Sequence, residues 1–250
     1  MVEKQMVIGN LKVIVAKDYD SLSFIAGDTI ATQIKRKPSS VLGLATGSTP
    51  IGTYKHLVAR HQNGLSFEEV RAFNLDEYHP INKDSDQSYA YFMQENLFKH
   101  IDISPNNIDI PSGETPMPAA ECVRYENSIR DVGGIDLQLL GLGLNGHIGF
   151  NEPDAHFPKM TQYTSLKQST IDANARFFDS ADDVPKHAIT MGIGTIFAAE
   201  SVLMLISGAA KAEIAHAVIC GDITPKVPGS ILQLHRNVTI ILDSEAAAKL

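Results

Sequence analysis

The residues best suited to catalysis or ligand binding lie in one short stretch, residues 135–153, which reads IDLQLLGLGLNGHIGFNEP. It begins with a nearly continuous apolar run, which is typical of an inner parallel strand covered on both faces. Glycines then alternate with polar side chains, among them Asn145, His147 and Glu152. In an open α/β sheet, ligands bind beyond the carboxyl ends of the strands. The stretch predicts a general acid–base site or, as the alternative, a plain connection with a structural histidine.

A second segment, TGSTP at residues 46–50, follows another apolar run and precedes a predicted helix. A helix N-terminus presents unpaired N–H groups with a partial positive charge, and small hydroxyl residues add donors. The segment therefore favours binding of a phosphate or carboxylate. The alternative is that Thr49 only caps the helix, although capping does not explain Gly47 and Ser48. The spacing is not that of a P-loop.

Two adjacent carboxylates, Asp76 and Glu77, come just past the end of a third predicted strand. Successive side chains of an extended chain point in opposite directions, so one carboxylate can enter a pocket while the other anchors the loop. The alternative is a pair of solvated loop acids.

Lys211 lies in the first turn of a predicted helix, where it opposes the helix dipole. A bound anion would relieve that mismatch, although a solvated lysine costs little.

Other chemistries have less support in the sequence. No GxSxG elbow is present, and neither cysteine has a local partner for nucleophilic catalysis. His147, Glu152, Asp154 and His156 lack the spacing of a metal-binding helix, so no metal site is expected. General acid–base chemistry on a phosphorylated or carbonyl-bearing substrate remains.

Strands and helices alternate along the chain, which predicts an α/β, modified Rossmann-like fold with a mainly parallel central sheet and helices on both faces. Residues 153–187 have weak periodicity and mixed polarity, and we predict that they form a lid insertion over the cleft. The predicted strands cover residues 11–16, 41–45, 70–74, 135–140, 201–206 and 238–242, and the predicted helices cover residues 19–36, 50–61, 89–100, 119–132, 209–220 and 244–250.

The composition suits one globular domain over residues 1–250, with 44% hydrophobic and 20% charged residues. A net charge of −8 with scattered basic residues argues against nucleic-acid binding. Cys122 and Cys220 lack metal-like spacing, which favours a reduced, cytoplasmic protein. No apolar run approaches the ~20 residues of a membrane span, and the N-terminus does not resemble a signal peptide. We therefore expect no membrane partner.

Three further segments are distinctive: LATGSTP at residues 44–50, FNLDEY at residues 73–78 and GLGLNGHIGFNEP at residues 141–153. They closely resemble signature motifs of the glucosamine-6-phosphate deaminase (isomerase-deaminase) family. The likeness continues through ANARFFDS, SGAAKAEIA and LQLH, so it covers nearly the whole chain in the same order. The resemblance implies conversion of D-glucosamine 6-phosphate and water to D-fructose 6-phosphate and ammonia, with no metal or organic cofactor.

The resemblance also implies a role for individual residues. Asp76 would take the C2 proton of the substrate and return it to C1, and His147 would open the pyranose ring with support from Glu152. The TGST loop, an arginine and a lysine would hold the phosphate. The expected catalytic residues are Asp76, Asn145, His147 and Glu152. The expected substrate-binding residues are Thr46, Gly47, Ser48, Thr49, Glu77, Arg176 and Lys211.

This chain departs from the family pattern in two ways. Many members carry Asp where this chain has Asn145, which can hydrogen-bond His147 or the substrate but cannot ionise. The C-terminal tail is short, so we do not carry over the hexamers and allosteric activation of some members, and we expect a monomer or low-order homo-oligomer. The same fold serves sugar-phosphate lactonases and phosphosugar-sensing regulators. A regulator would need a DNA-binding segment before the first strand.

Overall fold

A computed structural model describes residues 1–175, 178, 180 and 183–250. Its strands are β1 Val2–Ile8, β2 Leu11–Ala16, β3 Val41–Leu44, β4 Arg71–Asn74, β5 Asp76–His79, β6 Ile108–Asp109, β7 Leu137–Gly141, β8 Gln162–Ser165, β9 His187–Thr190, β10 Ser201–Ile206 and β11 Val238–Asp243. Its α-helices are α1 Tyr19–Arg36, α2 Ile51–Gln62, α3 Tyr89–Asn96, α4 Pro118–Asp131, α5 Gln168–Asn174, α6 Ile193–Phe197 and α7 Ala212–Cys220.

The central sheet confirms the predicted fold class. Within the described residues it has eight strands in the order β1-β2-β11-β10-β7-β3-β4-β6. Every neighbouring pair is parallel except β1 and β2. Helices flank the sheet, and the side chains of its inner strands are almost all buried, which is why those strands read as continuous apolar runs. The carboxyl ends of β3 and β7 are adjacent, so the loops that follow them share one edge of the sheet.

Helix α1 shows why local signals were reliable in this part of the chain. Asp18 has extended backbone angles, and its carboxylate accepts a hydrogen bond from the N–H of Ser21 at 2.8 Å, as an N-cap residue does. Leu22, Ala26 and Ile30 repeat every four residues and form a buried stripe. That stripe belongs to the main core of the domain, and α1 packs against α2 and β11.

A second sheet, antiparallel and three-stranded, was not predicted. Its order among the described residues is β5-β9-β8. Leu75 joins the two sheets, because its N–H donates to the carbonyl of Leu44 at 2.9 Å and its carbonyl accepts from the N–H of Met191 at 2.8 Å. Asp76 and Glu77 thus come just past β4, as predicted, but they lie in a strand of the second sheet and not in a loop.

Residues 153–187 contain regular structure that their weak periodicity did not predict. They include β8 and α5, and their last residue begins β9. Leu166 and Ile171 are buried in a small hydrophobic cluster with Tyr78 and Phe150, so this segment packs on the second sheet. Whether it moves as a lid stays a prediction.

Several other predicted bounds were wrong. The strand β1 precedes the first predicted strand, and its mostly exposed side chains explain why no apolar alternation marks it. Residues 244–250 form turns and not a helix, and the N–H of Ala246 donates to the Asp243 carboxylate at 2.8 Å. The residues just before α7, Ala209–Lys211, form a 3-10 turn.

None of the described helices is both long and apolar enough to cross a membrane.

Candidate active site

The loop after β7 brings together three of the predicted catalytic side chains. Nδ1 of His147 lies 2.7 Å from Oδ1 of Asn145, and Nδ2 of Asn145 donates to Oε2 of Glu152 at 2.6 Å. The same Oε2 lies 3.5 Å from Nδ1 of His147. Gly143 makes room for this arrangement, since a Cβ at that position would lie 2.3 Å from Cε1 of the His147 ring.

The orientation of the Asn145 amide fixes the tautomer of His147. The NH₂ group must face the acceptor-only carboxylate of Glu152, so the amide oxygen faces the imidazole. Nδ1 of a neutral His147 must therefore carry the proton that this oxygen accepts. Nε2 then has a free lone pair and can act as a base. The prediction that Asn145 hydrogen-bonds His147 is confirmed.

The Glu152 carboxylate is ionised in this network. Its side chain is only 7% exposed, and burial by itself would raise its pKa. Hydrogen bonding to His147 and the charge of that ring, with further hydrogen bonds from Thr170 and Asn145, outweigh burial and lower the pKa to about 2. Glu152 can thus stabilise positive charge on His147 during proton transfer.

Asp76 lies against the same loop. A Cβ placed on Gly149 would be 3.6 Å from Oδ2 of Asp76 and 2.9 Å from Oγ1 of Thr190. The turn that carries His147 therefore lies next to the Asp76 carboxylate at Gly149, where there is no side chain. Gly149 also has a positive φ of 57°, which favours glycine. Asp76 is 6% exposed, and burial, together with the negative charge of Glu77, raises its pKa to about 8. The alternative of a solvated acid is wrong.

Glu77 points away from Asp76 and anchors a helix. Its Oε1 accepts the N–H groups of Tyr78 and Tyr89, and its Oε2 accepts that of Ala90, each at 2.9 Å. Tyr89 and Ala90 begin α3, so the carboxylate stabilises a helix N-terminus. Burial raises the pKa of Glu77 to about 7 although these three hydrogen bonds act in the opposite direction. The expected anchoring role of one of the two carboxylates is confirmed for Glu77. Entry of Asp76 into a substrate pocket and a substrate contact of Glu77 stay predictions.

Two tyrosine hydroxyls form hydrogen bonds with the backbone on either side of the TGST loop. The hydroxyl of Tyr54 donates to the carbonyl of Ala45 at 2.5 Å, and that of Tyr19 accepts the N–H of Gly52 at 2.9 Å. Within the described residues, no group pairs with the backbone N–H groups or the side-chain hydroxyls of residues 46–49. The N-cap of α2 is Pro50 without a side-chain cap, so the alternative that Thr49 caps this helix is wrong. These free donors suit an anion.

Lys211 reaches the edge of the His147 loop. Its Nζ donates to the carbonyl of Leu142 at 2.5 Å, directly after β7. The preceding turn is fixed by Asp243, whose carboxylate accepts from the Ser207 hydroxyl at 2.5 Å and from the N–H of Gly208 at 3.0 Å. The remaining predicted phosphate ligand, Arg176, lies outside the described residues.

Sequence reasoning missed Thr170, Thr190 and Asp243. Each supports a predicted site residue or its loop through a hydrogen bond to a residue at least 18 positions away, so no local pattern marks it. Among the described residues, no group of three or more His, Cys, Asp or Glu could hold a metal ion.

A sequence model of the family described as glucosamine-6-phosphate isomerases/6-phosphogluconolactonase matches residues 21–241. The chain belongs to this family. Within this isomerase/lactonase family, it is 52% identical over 241 residues to a glucosamine-6-phosphate deaminase of Clostridioides difficile strain 630, which covers 96% of this chain and 97% of that protein. It is 51% identical over 238 residues to one of Clostridium perfringens strain 13, covering 95% and 98%.

Solved structures agree with this membership. A structure described as a monomeric glucosamine-6-phosphate deaminase superposes with a TM-score of 0.93 at 46% identity, over 95% of this chain and 99% of that one. A 6-phosphogluconolactonase from Trypanosoma cruzi superposes with a TM-score of 0.77 at 21% identity, over 98% of each chain. At that low identity, the second likeness within the isomerase/lactonase family shows the shared fold alone.

Proposed function

We propose that this protein converts D-glucosamine 6-phosphate and water to D-fructose 6-phosphate and ammonia by general acid–base catalysis. The observation that carries the proposal is the buried Asp76 carboxylate lying against the loop that holds His147, Asn145 and Glu152. Relatives about half identical over nearly their full length are glucosamine-6-phosphate deaminases, which supports the same reaction here.

Ring opening comes first and uses His147. Its unprotonated Nε2 takes the proton of the C1 hydroxyl as the ring bond breaks, and the proton passes to the ring oxygen, which becomes the C5 hydroxyl. Asn145 keeps the proton on Nδ1, and the ionised Glu152 stabilises the transient imidazolium. The product of this step is an open-chain aldehyde with an amino group at C2.

Isomerisation then uses Asp76. Its carboxylate removes the C2 proton while the C1 carbonyl oxygen takes a proton from the C2 ammonium group, which gives an enolamine with a C1 hydroxyl. The protonated Asp76 then delivers its proton to C1, which leaves a protonated imine at C2. Water adds to this imine and ammonia departs, leaving the ketone. The free protein holds Asp76 largely protonated, since burial raises its pKa to about 8. A substrate ammonium group at C2 would favour the ionised, basic form of Asp76.

The phosphate would bind on the loop after β3. The N–H groups and hydroxyls of Thr46, Gly47, Ser48 and Thr49 supply donors, and Lys211 supplies charge from the neighbouring edge. Arg176 adds a second cation for the phosphate. The negative charge of Glu77 helps to raise the pKa of its neighbour Asp76, which acts on the substrate. Residues 153–187 would close over the bound sugar as a lid.

The cellular setting is part of the same proposal. A phosphorylated substrate does not cross membranes unaided, which supports a cytoplasmic enzyme. Both cysteines, Cys122 and Cys220, are free thiols, as expected of a reducing compartment. A structural relative at 46% identity is described as monomeric, which supports a monomer or low-order homo-oligomer here.

Product analysis tests the proposal against the lactonase alternative. Purified protein is incubated with glucosamine 6-phosphate, and ammonia and fructose 6-phosphate are assayed. It is then incubated with 6-phosphogluconolactone, and acid release is followed. We expect equimolar ammonia and fructose 6-phosphate from the first substrate. Turnover of the lactone without ammonia release from the amino sugar would contradict the proposal.

A further inference from the structure

Helix α5 is hydrogen-bonded both to the loop that carries His147 and to β5, the strand that carries Asp76. Oγ1 of Thr170 donates to Oε1 of Glu152, and Nδ2 of Asn174 donates to the hydroxyl of Tyr78 at 2.9 Å. Thr170 and Asn174 are four residues apart in one helix, so their side chains lie on the same face. One face of α5 therefore spans from the His147 loop to the strand that carries Asp76.

The two oxygens of the Glu152 carboxylate have partners in different elements of the fold. Oε2 binds groups of its own loop, Asn145 at 2.6 Å and His147 at 3.5 Å. Oε1 binds only Thr170 among the described residues. The terminal torsion of a glutamate is broad, so one oxygen held by its own loop does not fix the plane of the carboxylate. The hydroxyl of Thr170 supplies the second point that fixes it.

The contact is shielded from water. Thr170 is 5% exposed, and the next residue, Ile171, is buried with Tyr78 and Phe150. The rings of Tyr78 and Phe150 lie 5.5 Å apart between centroids, which ties β5 to the end of the His147 loop. A charge-assisted hydrogen bond in such surroundings is stronger than the same bond in water.

We propose that Thr170 is a positioning residue for ring opening, which fixes the Glu152 carboxylate relative to His147. Asn174, one turn further along α5, holds the same helix on β5 through Tyr78. This inference rests on the proposed function, and it adds a residue that acts through Glu152 and not on the substrate.

Steady-state kinetics with glucosamine 6-phosphate test the role of Thr170. Thr170→Val keeps the shape and removes the donor, so kcat should fall about 10- to 100-fold while KM stays within about threefold. Thr170→Ser keeps the donor and should retain kcat within about threefold. Ser169→Ala, at an exposed position on the same helix, is the matched control and should match the unmodified protein.

Thermal unfolding of each variant shows that the rates come from folded protein, and Thr170→Ala replaces Thr170→Val if that variant does not fold. Unchanged kcat in the variant without the hydroxyl would overturn the inference, as would a Thr170→Ser protein as slow as Thr170→Val. If the unmodified protein releases no ammonia, the proposed function itself fails. If it turns over and Thr170→Val turns over equally, only the role of Thr170 fails.

Discussion

Oδ1 of Asn145 lies 2.7 Å from Nδ1 of His147, while the NH₂ group of the same amide donates to Glu152 at 2.6 Å. A neutral amide thus stands between the imidazole and the carboxylate and gives each the partner it needs. An aspartate at this position could still accept from His147, but when ionised it would face Glu152 without a donor. The asparagine therefore fixes the histidine tautomer without adding a second negative charge.

This geometry predicts different effects for two substitutions of Asn145. Asn145→Asp keeps an acceptor for Nδ1 of His147, whereas Asn145→Leu keeps the size and removes all three hydrogen bonds of the side chain. We expect kcat of the leucine variant to be at least ~10-fold below that of the aspartate variant, because the tautomer is no longer fixed. Ammonia release measured near neutral pH compares them, and equal rates would show that the bridge does not support catalysis.

Folding stability should depend on pH through Asp76. Burial raises the pKa of Asp76 from 3.8 to about 8, so between these values the folded state holds a proton that the unfolded chain releases. The stabilisation is therefore complete below pH 3.8 and is lost as pH rises towards 8. Asp76→Asn should be more stable than the unmodified protein at pH 8 by at least ~1 kcal/mol.

Urea unfolding at several pH values between 5 and 8 would check this prediction, with Asp84→Asn as the control because Asp84 is an exposed loop acid. The Asp84 variant should follow the unmodified protein at each pH. If Asp76→Asn also follows it, without the flatter pH dependence, the Asp76 carboxyl is not the buried group described above.

Substitution of Lys211 should mainly weaken substrate binding. A charged hydrogen bond to phosphate is worth ~1.5–3 kcal/mol, so Lys211→Ala should raise KM about 10- to 100-fold with a smaller change in kcat. Lys35→Ala, an exposed lysine in the last turn of α1, serves as the control. An unchanged KM in the Lys211 variant would remove this lysine from the phosphate site.

Hydrogen exchange should distinguish residues 153–187 from the central sheet. We expect amides of β8 and α5 to exchange faster than those of β10 in the free protein, and to slow when fructose 6-phosphate is added. Exchange followed by mass spectrometry resolves these segments. Exchange as slow as in β10, with and without the ligand, would contradict closure of a lid.

The central sheet could be predicted because its signals are local. An apolar run such as Ser201–Ile206 marks a strand by itself, and Asp18 marks the start of α1. Two loops of the candidate site could be predicted for the same reason, because glycines and polar side chains directly follow the apolar runs. The TGST loop and the His147 loop both leave the sheet where those runs end.

The second sheet and the supporting residues could not be predicted in this way. The strands Asp76–His79 and Gln162–Ser165 have no apolar run, and β5 pairs with β9 more than a hundred residues later in the chain. Nothing in the sequence separates Thr170 from the exposed Ser169, because the partner of Thr170 lies in another element. Arg176 became a candidate only through family resemblance, and it lies outside the described residues.

Loss of label from C2 tests the role of Asp76 most directly. Glucosamine 6-phosphate carrying deuterium at C2 is incubated with the unmodified protein and with Asp76→Asn, and the label remaining at that carbon is followed by NMR. The unmodified protein should remove the deuterium as ammonia is released. Asp76→Asn should bind the substrate with similar affinity and remove the label at least ~10²-fold more slowly. Removal at an equal rate by the variant would contradict Asp76 as the base.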